Sequence, residues 1–195
     1  MSDSSSEHSF PILSNKVLGL FFSLGDSLQR WSGTGTIGRD IAAYNQMAKV
    51  LRRICLFTYG AQEEKEHQDK LAATMQVITK KPSLPPILYA FTVPYLQRAA
   101  LSQIDLLRTH QISGAWAALP AKMLFRKPLI VRCGYQQSAF HRRKIAANQG
   151  RLKLIFIGLY LAYTLLEWLA YRAADLILLA SESDRRYVMS RYAVD

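Results

Sequence analysis

Residues 16–23 read KVLGLFFS and residues 53–58 read RICLFT. Between them lie a loop rich in Gly, Ser and Thr, from Gly25 to Gly38, and a stretch in which Ile37, Ile41, Tyr44, Ala48 and Leu51 recur at helical spacing. Two short apolar runs joined through one amphipathic helix make a strand–helix–strand unit. Runs that are apolar without alternation belong to strands buried on both faces, as in a parallel sheet wrapped by helices.

The same alternation continues outward. Strands are expected at Met75–Thr79, Ile104–Arg108, Leu129–Arg132 (continuing into Cys133) and Asp175–Ala180. Helices are expected over Ile87–Ser102, which Pro94 must bend or divide, and through Ile112, Trp116, Leu119 and Met123, where Pro120 should kink the chain at a cost of about 3 kcal/mol. A long helix is expected from Arg142 to Arg172, and Ser181 with Asp184 three residues on forms a capping box. The fold class is therefore α/β, a Rossmann-like parallel sheet with helices on both faces. One domain covers residues 16–195 after a flexible polar tail at 1–15. Met1–Ser9 carries Asp3 and Glu7 where a signal peptide would place positive charge.

Composition narrows the function. A chain of 195 residues, 50% hydrophobic and 20% charged, excludes a disordered protein. Twenty-five Lys and Arg against 14 Asp and Glu leave a net charge of +11, which calls for an anionic partner: nucleic acid, lipid or a phosphorylated small molecule. Cys55 and Cys133 lie far apart in apolar runs and fit neither a disulfide framework nor a zinc site, so a reducing cytoplasm is expected.

Ligands of such sheets bind at the carboxyl ends of the strands. There, Gly33-Thr34-Gly35-Thr36-Ile37-Gly38 matches G-x-G-x-x-G, with glycines for close backbone approach and a helix N-terminus for an anion. Three readings stay open: a dinucleotide loop, as in an NAD(P)-dependent oxidoreductase, a bare surface turn, or a loop facing another phosphate- or sugar-bearing ligand. Two features count against a dinucleotide. About eight residues separate Leu24 from Gly33, and the second strand ends Thr58-Tyr59-Gly60 with no acid before Glu63 and Glu64. Of the four histidines, His8 lies in the tail, His67 in an exposed charged stretch (Glu63–Lys70) and His141 in a basic cluster. His110 follows a strand at its carboxyl end and is the candidate catalytic residue. None of the four has metal-ligand spacing, so no metal is expected.

Residues 142–172 hold Arg142, Arg143, Lys144, Arg151, Lys153 and Arg172 against one acid, Glu167. Leu154–Leu166 is uncharged but spans only roughly 20 Å as a helix, short of the about 30 Å of bilayer hydrocarbon. Basic residues at one end, Trp168 and several Tyr along it, and too little length for a span describe a helix lying in a membrane interface, with Leu159 and Leu166 among its lipid contacts. A core helix over the sheet is the competing reading. Positive charges bordering an apolar segment favour an anionic membrane over nucleic acid.

Several stretches resemble the first half-domain of retaining glycosyltransferases of family 4. These are Gly33–Lys49, Phe57-Thr58-Tyr59-Gly60, Arg108–Trp116 (with His110 where that family usually has Asn), Lys127–Tyr135 and Ala173–Asp184. The order of these stretches extends the resemblance over Lys16–Asp195. It implies one half of a two-domain GT-B architecture. This half would take the acceptor, a glycan or a lipid-linked sugar, and a C-terminal donor-binding domain, in the same or a separate chain, would hold the nucleotide sugar. No other cofactor is implied. The cleft residues carried over are Gly33, Thr34, Gly35, Thr36, Gly38, Arg39, Tyr59, His110, Gln111, Arg132, Tyr135, Ser181 and Glu182. Gln136 departs from the family, which often has an acid or aromatic there. By the same resemblance the enzyme would work on the cytoplasmic face of the membrane, inactive without its donor domain. A non-catalytic membrane-interface module is the alternative.

Overall fold

The computed structural model describes residues 13–194, so most of the expected tail, including Met1–Pro11, lies outside the described residues. Six strands form one fully parallel sheet: β1 (Val17–Phe21), β2 (Arg53–Phe57), β3 (Met75–Ile78), β4 (Leu106–Thr109), β5 (Leu129–Cys133) and β6 (Leu176–Leu179). Their spatial order is β3-β2-β1-β4-β5-β6, which reverses direction between β1 and β4. The α/β Rossmann-like fold is as the alternating runs require. All five residues of β1 are buried, paired on one side with β2 from Val17↔Arg53 and on the other with β4 from Leu18↔Leu106. Phe21 and Phe57 stack across the β1–β2 pair at 4.7 Å.

The helices are α1 (Leu28–Gly33), α2 (Ile37–Ala48), α3 (Pro86–Leu96), α4 (Arg98–Ser102), α5 (Ala115–Phe125), α6 (Gln137–Ala147), α7 (Gly150–Ala173) and α8 (Glu182–Tyr192). Helices α3, α5 and α7 neighbour one another in that order. Phe91 of α3 meets Trp116 of α5 at 5.8 Å, and Trp116 meets Tyr163 of α7 at 6.5 Å.

Two buried carboxylates hold helix starts that have no acid of their own. In the first turn of α1, the Leu28 and Gln29 N–H groups donate to Glu64 Oε2 and Oε1, both at 3.1 Å. Glu64 comes from a 3-10 segment, Gln62–Lys70, and is fully buried. At α6, the Ser138 N–H (2.9 Å) and hydroxyl (2.5 Å) donate to Glu167, which α7 buries completely and which also accepts from the Tyr192 hydroxyl of α8. One side chain thus ties three helices.

Several expectations need correction. The single helix from Arg142 to Arg172 is two, α6 and α7, turning back at Asn148-Gln149, with Gly150 in the left-handed region at φ +58°. Leu154–Leu166 is too short to span a bilayer, but α7 has 24 residues and is long and apolar enough to do so by length and composition. The fold opposes a span, because Leu166, Glu167, Ala170 and Tyr171 belong to the core. Leu166, expected at a lipid surface, is 1% exposed. The Gly25–Gly38 loop contains α1, nucleated by Ser27, whose hydroxyl accepts from Arg30 N–H at 3.0 Å. The Glu63–Lys70 stretch is not a merely solvated run: His67 is buried and its Nε2 pairs with Gln29 Oε1 at 2.7 Å.

The remaining differences are smaller. His141 leaves the basic cluster for the inside of the α6–α7 hairpin, stacked on Tyr163 at 5.1 Å and Phe156 at 6.1 Å. Helix α5 runs on through Pro120 as one element, and the division near Pro94 falls at Gln97. Strand β4 starts two residues late because Asp105 turns its carboxylate onto the Val17 N–H at 2.9 Å. Burial on both faces fails for β6, an edge strand with Leu176 and Leu178 exposed.

A Cβ at residue 60 would lie 2.3 Å from the Glu64 carboxyl carbon. Gly60→Ala must therefore push Glu64 away and strand the two α1 N–H groups. The expected loss is about 2–3 kcal/mol in urea unfolding, with a similar loss for Glu64→Ala. The double variant should cost little more than either single one, and additive losses would show that the two residues do not act through one contact.

Candidate functional site

Strand order reverses between β1 and β4, and the carboxyl ends of the strands at such a reversal are where sheets of this class take their ligands. Aromatic side chains form a floor there. Phe22 leaves β1 buried and stacks on Trp31 of α1 at 4.2 Å. The Trp31 ring lies 4.6 Å from that of His110, which follows β4. Tyr44 of α2 closes the group, its hydroxyl 2.5 Å from His110 Nδ1. The backbone is equally tight. The His110 N–H donates to Phe21 O at 2.8 Å, and a Cβ on Gly114 would come within 2.6 Å of that same carbonyl.

This packing sets protonation. Burial is the main cause that lowers the His110 pKa to about 4; Asp40 opposes it, while Arg132, Arg108 and Arg39 add to it. Burial pushes the Tyr44 phenol up to about 12, with Arg108 and Arg132 opposing. Both groups are uncharged at neutral pH, so His110 positions and does not supply positive charge. The charge comes from arginines around it. Arg132 Nη1 donates to His110 O at 3.1 Å, Arg108 lies over the Tyr44 ring at 5.8 Å, and Arg39 is exposed beside Asp40.

The expected cleft residues divide into three groups. Gly33 ends α1, and Thr34 closes that helix with its N–H (3.0 Å) and hydroxyl (3.1 Å) on Arg30 O. Gly35 takes φ +72°, Thr36 caps α2, and Gly38 and Arg39 lie in its first turn. Space is open where a Cβ would stand on Gly33, Gly35 and Gly38, so a ligand can approach this backbone. Tyr44, from the helix that this segment opens, joins it to His110, and Arg132 reaches the His110 carbonyl. Gln111 joins them by accepting the Gly134 N–H at 2.8 Å, clamping the exits of β4 and β5.

Tyr135, Ser181 and Glu182 form a second group farther along the rim. Two strand spacings, about 10 Å, separate the exits of β4 and β6. A groove of about 340 Å³ opens there between α6 and α8, lined by Tyr135, Gln136, Phe140, Arg143, Asp184 and Tyr187. Gln136 is buried, its carbonyl accepting from the Tyr171 hydroxyl at 2.7 Å. Ser181 caps α8, accepting the Asp184 N–H at 3.1 Å. Tyr59 stands apart: it is buried, its N–H on Asp26 O at 2.9 Å and its ring edge-on to Tyr89.

A dinucleotide fits this site poorly. The glycines follow a helix instead of the first strand, and Glu64, the nearest buried acid after β2, is committed to α1. Trp31, Phe22 and Asp40 are neighbours of His110 that loop position alone does not reveal. The spacing of Leu28 and Trp31 is the one signal that could have shown α1. Cys133 is buried, its thiol pushed up to about 12 chiefly by burial, and is no nucleophile.

No model of a known family matches the chain, and no curated protein sequence matches it. Among solved structures, HepE from Anabaena, in complex with UDP and glucose, is similar with a TM-score of 0.51 and 19% identity, covering 91% of this chain and 41% of that one. A short-chain dehydrogenase from Salmonella enterica serovar Typhi gives a TM-score of 0.41 and 11% identity, covering 94% and 83%, too distant to carry argument. The likeness to HepE establishes the fold, and this chain spans less than half the length of that protein.

Protonation of His110 carries a testable cost. Its folded pKa, about 4, lies below the ordinary value of 6.5. The unfolded chain therefore takes up the proton first as pH falls, and stability present above pH 6.5 is lost down to about pH 4. The loss is on the order of 2–3 kcal/mol. In His110→Asn this part of the slope should vanish, so the thermal midpoint of the variant should fall less than that of the wild type over that range. Parallel curves would show that His110 does not stay neutral.

Proposed function

We propose that this chain is the acceptor-side domain of an enzyme that transfers a sugar from a nucleotide sugar to a glycan or lipid-linked acceptor. The observation that carries the reading is the rim itself. An uncharged aromatic floor around His110 is edged by arginines, and an open groove beside it displays Tyr135, Arg143 and Asp184. Half-exposed aromatic rings suit the C–H face of a sugar, and carboxylate and guanidinium suit its hydroxyls. The fold shared with HepE, which binds UDP and glucose, supports the same class of ligand.

In this reading the bond from the sugar's anomeric carbon to the diphosphate oxygen breaks, and one to an acceptor hydroxyl oxygen forms. The nucleoside diphosphate leaves with the electron pair, and the acceptor's proton passes to an oxygen of that departing diphosphate. Arg39, Arg132 and the N-terminus of α2 face the place where that negative charge gathers. His110 and Tyr44 set the position of the β4 exit. A second domain, in the same or a separate chain, holds most of the nucleotide. The family-level resemblance to retaining glycosyltransferases of family 4 would make the transfer retaining, and the protein would work on the cytoplasmic side of a membrane.

Saturation-transfer NMR on this chain should detect binding of oligosaccharides, and Tyr135→Ala should abolish it with the melting temperature unchanged. The chain alone should release no UDP from UDP-glucose. Binding of NAD without any glycan contact would move the assignment to an oxidoreductase. Turnover by the chain alone would overturn the need for a separate donor domain.

A further inference from the structure

We infer that the α6–α7 hairpin, together with the outer face of α3, docks this protein on an anionic lipid bilayer with the ligand rim turned toward the headgroups. The argument starts from length. Helix α7 has 24 residues, about 36 Å, while β5 and β6 are five and four residues long, about 17 Å at most. Helix α6 leaves from the exit of β5, and α7 returns to the start of β6 at the opposite edge of the sheet. The surplus length must therefore project beyond the carboxyl rim. Accordingly, the buried residues of α7 all fall within its last eight, and Phe156 in its first half packs on His141 of α6.

One face of α7 is apolar and uncovered, in its projecting half and beyond it. Leu154, Leu161, Leu165 and Trp168 recur at helical spacing along one stripe, with Leu154 69% and Leu161 60% exposed. Helix α3 also begins at the rim, after β3, and turns Ile87, Leu88, Phe91 and Tyr95 outward. Aromatic contacts through Trp116 join α3 to α7, so the two apolar surfaces belong to one helical layer. Exposure on this scale marks an interaction surface.

Charge selects the occupant. Between Asp69 and Glu167 the chain has one acid, Asp105, against fourteen Lys and Arg. Arg142, Arg143 and Lys144 lie in the second half of α6, and Arg151 and Lys153 begin α7, so five cations flank the turn of the hairpin and neither helix has an acid before Glu167. A second copy would bring the same cations and be repelled. Nucleic acid would leave the leucine stripe in water. A bilayer with anionic headgroups meets both features, the cations at the phosphates and the leucines below them. The inference does not depend on the sugar-transfer reading, because it uses none of the residues around His110 and, of the groove residues, only Arg143, which its test leaves intact.

The test is co-sedimentation of the full chain with vesicles of phosphatidylcholine and phosphatidylglycerol, compared with phosphatidylcholine alone. Binding should need the anionic lipid and weaken with added salt. Arg142→Gln with Lys144→Gln and Arg151→Gln should lower the partition coefficient about tenfold or more. Leu161→Glu with Leu165→Glu, both exposed positions, should abolish binding with an unchanged melting temperature and unchanged glycan binding. No sedimentation of the wild type with anionic vesicles at low salt would overturn the inference. So would equal binding by the leucine variant, or a dimer of the wild type that this variant dissolves without any lipid binding.

Discussion

A helix that begins inside a protein exposes N–H groups that must find acceptors, and this fold meets that demand with carboxylates from elsewhere in the chain. Neither α1 nor α6 has an acid in its first turn. Glu64 reaches α1 from the segment after β2, and Glu167 reaches α6 from α7. Both helices stand on the rim where ligands of such sheets bind. If Glu64 moved, Trp31 would lose its support and the floor under His110 would open. If Glu167 moved, α6, α7 and α8 would come apart around the Tyr135 groove. Each carboxylate therefore holds one half of the rim.

The two halves differ in character. At the reversal between β1 and β4, Phe22, Trp31, Tyr44 and His110 pack into a neutral plug, and Arg132 and Arg39 lie at its margin. Burial that keeps a histidine uncharged also keeps water from the floor around it. The half beside β5 and β6 is open, with Tyr135 half-exposed above a groove. A closed floor suits the positioning of a reacting group, and an open groove suits a ligand of variable length.

Acids and bases are also segregated along the chain. Glu63, Glu64, Glu66 and Asp69 cluster near the second strand, whereas α3 to α7 are almost wholly basic. The elements of that basic half pack on one another, so a bias in sequence becomes a bias in space. The projecting hairpin lies where cationic and apolar surface coincide.

Much of this was legible without coordinates. The uninterrupted runs at β1, β2 and β5 identified a parallel sheet, and the capping residues at Ser181 located α8, because these features depend on residues close in sequence. The glycines at 33–38 and His110 were visible as rim residues for the same reason. Burial of His67, His110 and His141 was not visible, since rings from other elements enclose His110 and His141, and His67 pairs with Gln29 of α1. Nor was the division of the basic helix at Asn148-Gln149, where no proline or glycine cluster marks the turn before Gly150. Local pattern determined the six strands and most of the helices, though neither α1 nor the break between α6 and α7, and it determined the charge these segments carry. Only tertiary structure decided which charges are buried, which leucines of α7 face water and which acid caps which helix, because those depend on contacts between residues tens of positions apart.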